Sequence, residues 1–338
     1  MPNKKPLWLL TVSWLLLVFS ACTLSSDRNE PTPFQHDVSG PIQPWTSEDF
    51  DAGNGKFTFA VFSDLTGGER PGVFATAVAQ LNLLRPELIM NVGDLIDGNT
   101  TDLNDIDAQW NSFDERADRA IAPVFYVGGN HDLTGKVLQD VWDERLGRRY
   151  YHFVYKNVLF LILDTEDNTP ERTREIFEIR KVGVETFMNE GEEAYQKTEY
   201  AKLPERNSGN LTPEQSDYLA QVIAANPDVR WTFLFMHKAP WERAEETSFG
   251  VIEAALADRP YTVFHGHMHA YEYLERRGRD YIQLATTGGK QFPEAGLSED
   301  HVTLVTVDSD GVDIANLLMS GILDKTGRVP LPDDDSRD

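Results

Sequence analysis

The stretch Phe57-Thr58-Phe59-Ala60-Val61-Phe62-Ser63-Asp64-Leu65-Thr66 decides the fold. Its first six residues are apolar except Thr58, and rich in aromatic and β-branched side chains. That composition predicts a short strand buried on both faces. The run then breaks at a polar pair, Ser63-Asp64. The same arrangement of apolar run followed by polar motif recurs along the chain. Leu88–Val92 precedes Gly93-Asp94-Leu95-Ile96-Asp97, and Pro123–Val127 precedes Gly129-Asn130-His131-Asp132. Arg230–Met236 precedes His237, and Tyr261–His265 precedes Gly266-His267-Met268-His269. Further strands are expected at Tyr151–Val154, Val158–Leu163, Tyr281–Ala285 and Val302–Val307. Helices are expected between them. Pro71 introduces a helix over Val73–Leu84. Ile106, Trp110, Phe113, Ala117 and Ile121 keep a three-or-four spacing on one face. Thr212-Pro213-Glu214-Gln215 is a capping box with proline at the first helical position. The alternation predicts a layered α/β domain, with the late strands forming a second sheet packed on the first.

Strand ends in such sheets open onto a common edge, where ligands bind. Each polar motif taken singly has a bland reading: Asp64 or Asp94 as a turn former, Asn130-His131-Asp132 as a polar loop, His237 as a core histidine. Taken together they gather carboxylates, imidazoles and an amide at one edge, a mixed nitrogen and oxygen donor set suited to divalent ions. The two histidines of Gly266-His267-Met268-His269 are expected on one strand, pointing to the same side.

In order and spacing these motifs resemble the calcineurin-like metallophosphoesterase family, whose pattern is D-x-H, G-D, G-N-H-D/E, a lone histidine and G-H-x-H. The resemblance runs from Asp64 to His269 and implies a two-sheet β-sandwich flanked by helices. It implies two divalent metal ions (Mn, Fe or Zn), with Asp94 bridging both. Asp64 and His269 would hold the first ion; Asn130, His237 and His267 would hold the second. His131 would be catalytic, contacting the scissile phosphate rather than a metal. A bridged ion pair neutralises phosphate oxygens and activates water, and a histidine can protonate the leaving oxygen near neutral pH. The sequence departs from the pattern at Thr66, where the family has histidine. Two functions are therefore carried forward: a hydrolase of phosphate mono- or diesters, and a catalytically impaired metal- or phosphate-binding relative. Asp97 is read as an additional oxygen ligand or as a turn cap. Arg70 is read as a phosphate contact or as part of a flexible turn. His265 is read as packing beside the ligands.

Bulk composition constrains the substrate. The 338 residues are 41% hydrophobic and 25% charged, which is ordinary for a globular chain. The formal net charge of -24 repels phosphate backbones, so extended nucleic-acid binding is not expected. A small phosphoester remains compatible where bound cations reverse the local field.

The N-terminus reads as an export signal. Lys4 and Lys5 precede a largely apolar run, Leu7–Phe19, then the small residues Ser20 and Ala21. Val18-Phe19-Ser20-Ala21-Cys22 resembles the lipobox of bacterial lipoproteins, and Cys22 is the single cysteine. Residues 1–21 are thus expected to be a signal peptide, with Cys22 lipidated and the protein held on a membrane in the extracytoplasmic cell envelope. The other reading is an ordinary signal peptide with a stray cysteine. Residues 22–56, with Pro31, Pro33, Pro41 and Pro44 among polar residues, are expected to be a flexible tether. The catalytic domain is then 57–325. Within it, about 168–210 is dense in Glu, Arg and Lys and reads as a helical insertion, either a lid or a solvated excursion.

Overall fold

The computed structural model describes residue 1, residues 34–50 and residues 55–330. In chain order the strands are β1 (Phe34–His36), β2 (Phe57–Phe62), β3 (Leu88–Asn91), β4 (Tyr151–Tyr155), β5 (Val158–Ile162), β6 (Trp231–Phe235), β7 (Tyr261–His265), β8 (Glu272–Arg276), β9 (Arg279–Gln283), β10 (His301–Val307) and β11 (Val312–Leu318). The α-helices are α1 (Val73–Leu84), α2 (Leu103–Ala117), α3 (Asn130–Leu133), α4 (Lys136–Arg145), α5 (Pro170–Glu190), α6 (Glu192–Tyr195), α7 (Pro204–Asn207), α8 (Pro213–Ala225) and α9 (Ser248–Ala255).

The strands form two sheets, one ordered β1-β4-β5-β6-β7-β9-β8 and the other β11-β10-β2-β3. Strand alternation explains how they stack. In β2, Phe57, Phe59 and Val61 enter the core between the sheets, while Ala60 and Phe62 face a second core. That second core is closed by Phe74 and Leu81 of α1, Trp110 and Phe113 of α2 and Trp142 of α4. In β5, Phe160 and Ile162 join the inter-sheet core. Leu159 and Leu161 instead pack in a third core with Leu219 and Ile223 of α8 and Phe249 of α9. Each inner strand is buried on both faces, as its unbroken apolar run requires. The result is the expected two-sheet sandwich with helices outside both sheets, but the late strands do not make a sheet of their own: β8 and β9 extend the larger sheet, while β10 and β11 pair onto β2 and β3.

Several boundaries differ from the sequence reading. Pro123–Val127 contributes isolated bridges, Val124 to Ile89 and Phe125 to Trp45, rather than a strand. Helix α2 stops at Ala117, so Ile121 lies beyond it and is exposed. The flexible-tether expectation does not hold for residues 34–50. Phe34–His36 pairs antiparallel with β4, and Trp45 is buried. Phe34 lies tilted against Phe50 with ring centroids 4.5 Å apart and meets Trp45 edge-on at 5.5 Å. Three aromatic rings spaced along a proline-rich segment bury enough apolar surface to order it. The signal segment and Cys22 lie outside the described residues.

The predicted insertion carries α5, α6 and α7. Thr169 caps α5, accepting from the Arg172 amide, with Pro170 in the first turn.

Candidate metal centre

The polar motifs meet where β2, β3, β6 and β7 end. Asp64 follows β2, Asp94 follows β3, His237 follows β6, and His267 and His269 follow β7. Asn130 and His131 open α3. Two donor clusters result, Asp94 with His237 and His267, and Asp64 with Asp94 and His269. Asp94 belongs to both. The structure thus brings all seven predicted site residues to one edge. One local expectation fails: His267 and His269 are not on a strand. β7 ends at His265, and the two histidines have φ of 75° and 52°. This left-handed backbone aims them at different clusters, which an extended strand cannot do.

The imidazole tautomers follow from hydrogen bonds. A carbonyl can only accept, so the ring nitrogen facing it must carry the proton. His237 Nδ1 donates to the Val92 carbonyl at 2.8 Å. His269 Nδ1 donates to that of Lys290 at 2.5 Å, and His267 Nε2 to that of Arg206 at 2.6 Å. His131 Nδ1 donates to the Asp97 carbonyl at 2.6 Å. Each ring keeps its other nitrogen for the site. The free Nε2 of His237 lies 3.1 Å from Asp94 Oδ2 and 3.2 Å from Asn130 Oδ1. His269 Nε2 lies 3.4 Å from Asp64 Oδ1. Lone pairs converging in this way require a cation between them, either a proton or a metal ion. The residues therefore fit a divalent pair.

Glycines make this convergence possible. A Cβ on Gly266 would lie 2.3 Å from Asp64 Oδ2, and one on Gly129 2.3 Å from Asp94 Oδ1. The backbone also holds the carboxylates: His131 N–H donates to Asp94 at 2.9 Å and His267 N–H to Asp64 at 2.9 Å. Burial pushes Asp94 up, but the imidazoles of His237, His131 and His267 outweigh it and hold the carboxyl well below its usual range. Burial lowers His237, yet its contact with Asp94 carries it up to about 9.

Sequence reasoning missed the part played by Asp132. Its buried carboxylate accepts from the Gly129 amide at 2.8 Å and from the Leu95 and Ile96 amides at 2.9 and 3.0 Å. It therefore braces the two loops that carry Asp94 and Asn130. The available signal was its position three residues after Gly129, where an N3 acid reaches back to a helix start. Thr66 is buried and gives its hydroxyl proton to the Asp97 carboxylate. Arg70 is engaged by the Gly289 carbonyl and Asp300, so it is tied to the scaffold. His265 packs edge-on against Trp241 at 5.1 Å, and burial pushes it down to about 3.

A family model described as calcineurin-like phosphoesterase matches residues 57–271. Among solved structures, a dimetal phosphatase from Danio rerio is 13% identical, covering 78% of this chain and 98% of that one with a TM-score of 0.51. A purple acid phosphatase from yellow lupin is 13% identical over 78% of this chain and 52% of that one, with a TM-score of 0.49. GAP50, described as the anchor in the inner membrane complex of Plasmodium, is 13% identical over 81% and 86%, with a TM-score of 0.48. No curated protein matches in sequence.

Proposed function

Because this chain belongs to the calcineurin-like phosphoesterase family, we propose that it hydrolyses phosphate mono- or diesters with two divalent ions at the strand-end site. The observation that carries this reading is the membership of Asp94 in both donor clusters, since a carboxylate shared by two cations is what a paired site needs. Asp64, Asp94 and His269 would hold one ion; Asp94, Asn130, His237 and His267 would hold the other. When bound, the ions supply positive charge for the phosphate oxygens and activate water. His131 lies outside both clusters. Its Nδ1–H is fixed on the Asp97 carbonyl. Its Nε2 lies 3.7 Å from where a Cβ on Gly67 would sit, in the same small space as His269. From there the imidazolium can give its proton to a leaving oxygen.

Turnover of p-nitrophenyl phosphate and its bis ester, with Mn²⁺ and with added chelator, tests this function. Manganese-dependent hydrolysis that the chelator abolishes is expected. A protein that binds two ions yet turns over neither ester would be the impaired relative that Thr66 allows.

We also propose that the chain is exported and lipid-anchored through Cys22, on the strength of the Lys4-Lys5 start, the apolar run and the position of the single cysteine. Among the described residues no helix is long and apolar enough to cross a membrane. Cys22→Ser should abolish lipid labelling and release the protein from membrane fractions; unchanged labelling would refute the anchor. The acidity of the chain favours small phosphoesters of the envelope over nucleic acids.

A further inference from the structure

A cavity of about 300 Å³ lies between α5 and the loop after β3, lined by Asn99, Thr100, Thr101, Phe177, Arg180 and Lys181 among others. That volume is at the lower end of what small ligands occupy. Two contacts place α5 beside the metal centre. Toward its start, Phe177 packs on Gly135, where a Cβ would sit 2.7 Å from the ring. Toward its end, Phe187 faces the Lys290 ammonium at 5.7 Å, and the Lys290 carbonyl is the acceptor for His269. The opposite wall begins two residues after Asp97, whose carbonyl holds His131.

Arg180 lies about one turn after Phe177 and is only 6% exposed. Among the described residues its guanidinium has no hydrogen-bond acceptor and no ion-pair partner. Its neighbours on the insertion do: Arg172 is bound by Glu205 and Glu175, and Arg206 by the Tyr195 hydroxyl at 2.7 Å. With its stem withdrawn from solvent and no partner from the chain, the guanidinium is left to the cavity that Arg180 lines, where an anion would complete it. The loop that forms the opposite wall packs directly on His131: Gly98, the residue before Asn99, has no room for a Cβ beside the His131 carbonyl oxygen. Lys181 adds a second positive charge at the cavity, against the single exposed Glu185 on the rim. In a chain with a formal charge of -24 this is a local reversal of sign.

We propose that Arg180 binds a second anionic group of the substrate on the leaving-group side of His131, so that the preferred substrates are phosphoesters whose leaving group carries a carboxylate or phosphate. This rests on the phosphoesterase reading above. The planar fork of arginine suits either anion, and a charge-assisted pair in a buried pocket changes affinity by about tenfold or more.

The test compares phenylphosphonate with 4-carboxyphenylphosphonate by calorimetry on the full, Mn²⁺-supplied chain. Wild type should bind the carboxylated probe at least about tenfold more tightly. In R180Q that ratio should fall about tenfold, and R180K should keep part of it. A wild-type ratio near one, or a ratio that survives in R180Q, overturns the assignment. Should R180Q fail to fold by circular dichroism, the wild-type ratio and its reduction in R180K decide. Hydrolysis of phenyl phosphate and 4-carboxyphenyl phosphate is measured in parallel. Failure of wild type on both esters overturns the phosphoesterase reading, while the binding ratio still judges Arg180.

Discussion

His267 Nε2–H donates to the main-chain carbonyl of Arg206 at 2.6 Å, so a turn of the helical insertion sets the tautomer of an imidazole in the metal centre. The neighbouring residue fastens that turn. Glu205 is 3% exposed, and its carboxylate takes Arg172 at 3.0 and 2.9 Å and Arg243 at 3.0 Å. Its carbonyl accepts from Lys238 Nζ at 2.7 Å. The insertion is therefore built into the site from one side rather than lying free over it.

Glu205→Ala should lower stability by about 2 kcal/mol, because it takes the carboxylate from Arg243 and one of two carboxylates from Arg172. It should also weaken the ion held through His267 more than the ion held through His269. Thermal unfolding and metal titration check the two parts separately. Unchanged stability together with unchanged affinity for both ions would show that the turn needs no such anchor.

Asp94→Ala should remove both ions, since Asp94 alone belongs to both donor clusters. His237→Ala should lose mainly the ion shared with His267. Elemental analysis of the purified variants reads the stoichiometry directly. Retention of two ions by the Asp94 variant would break the proposed division of ligands.

The inner layers of the fold were legible because their signals are local. β2, β7 and α1 have the bounds read from sequence, each set by an apolar run or a helical period. β8 and β11 were missed because they are largely exposed, and Glu272–Arg276 carries charge where a buried strand would carry valine. β1 was missed because prolines around it masked three aromatic anchors. Within the site, the strand-end motifs announced which side chains gather there. They did not announce the carbonyls that set the tautomers, nor Arg180 and Glu205, because those depend on where the insertion folds back. One trace was present: Thr173, Ile176, Arg180 and Gly183 are buried together on α5, a three-and-four spacing that places an arginine on an inward face.

Asp164 gives a pH dependence of stability that is independent of the metal residues. It lies two residues after β5 with no exposed surface, 3.1 Å from Arg149 Nη1. Burial raises it and Arg149 lowers it, with a net rise to about 7. An unfolded aspartate titrates near pH 3.9, at about its reference value. Between those values the folded chain binds more protons than the unfolded chain, so stability falls as pH rises. This group's share of the slope reaches about 1.4 kcal/mol per pH unit. Stability measured against Asp164→Asn in urea at pH 4.5, 6 and 7.5 isolates that share. Wild type should lose ground to the variant across the series; parallel curves would mean Arg149 offsets the burial fully.

His131 should act on the leaving group without holding metal. Its backbone amide is bound to Asp94 and its Nδ1–H to Asp97, so the ring is fixed by the scaffold and Nε2 is left free for a substrate. It is absent from both donor clusters. His131→Ala should therefore keep its fold and both ions while kcat falls by about 10²- to 10⁴-fold, the usual contribution of a positioned general acid. The loss should be smaller for nitrophenyl esters, whose leaving group departs with little protonation, and larger for alkyl esters. Burial already favours the neutral ring, so the imidazolium must form with substrate bound. If metal content falls in step with activity, His131 is a ligand. If alkyl esters are still hydrolysed at the wild-type rate, the proton comes from another group.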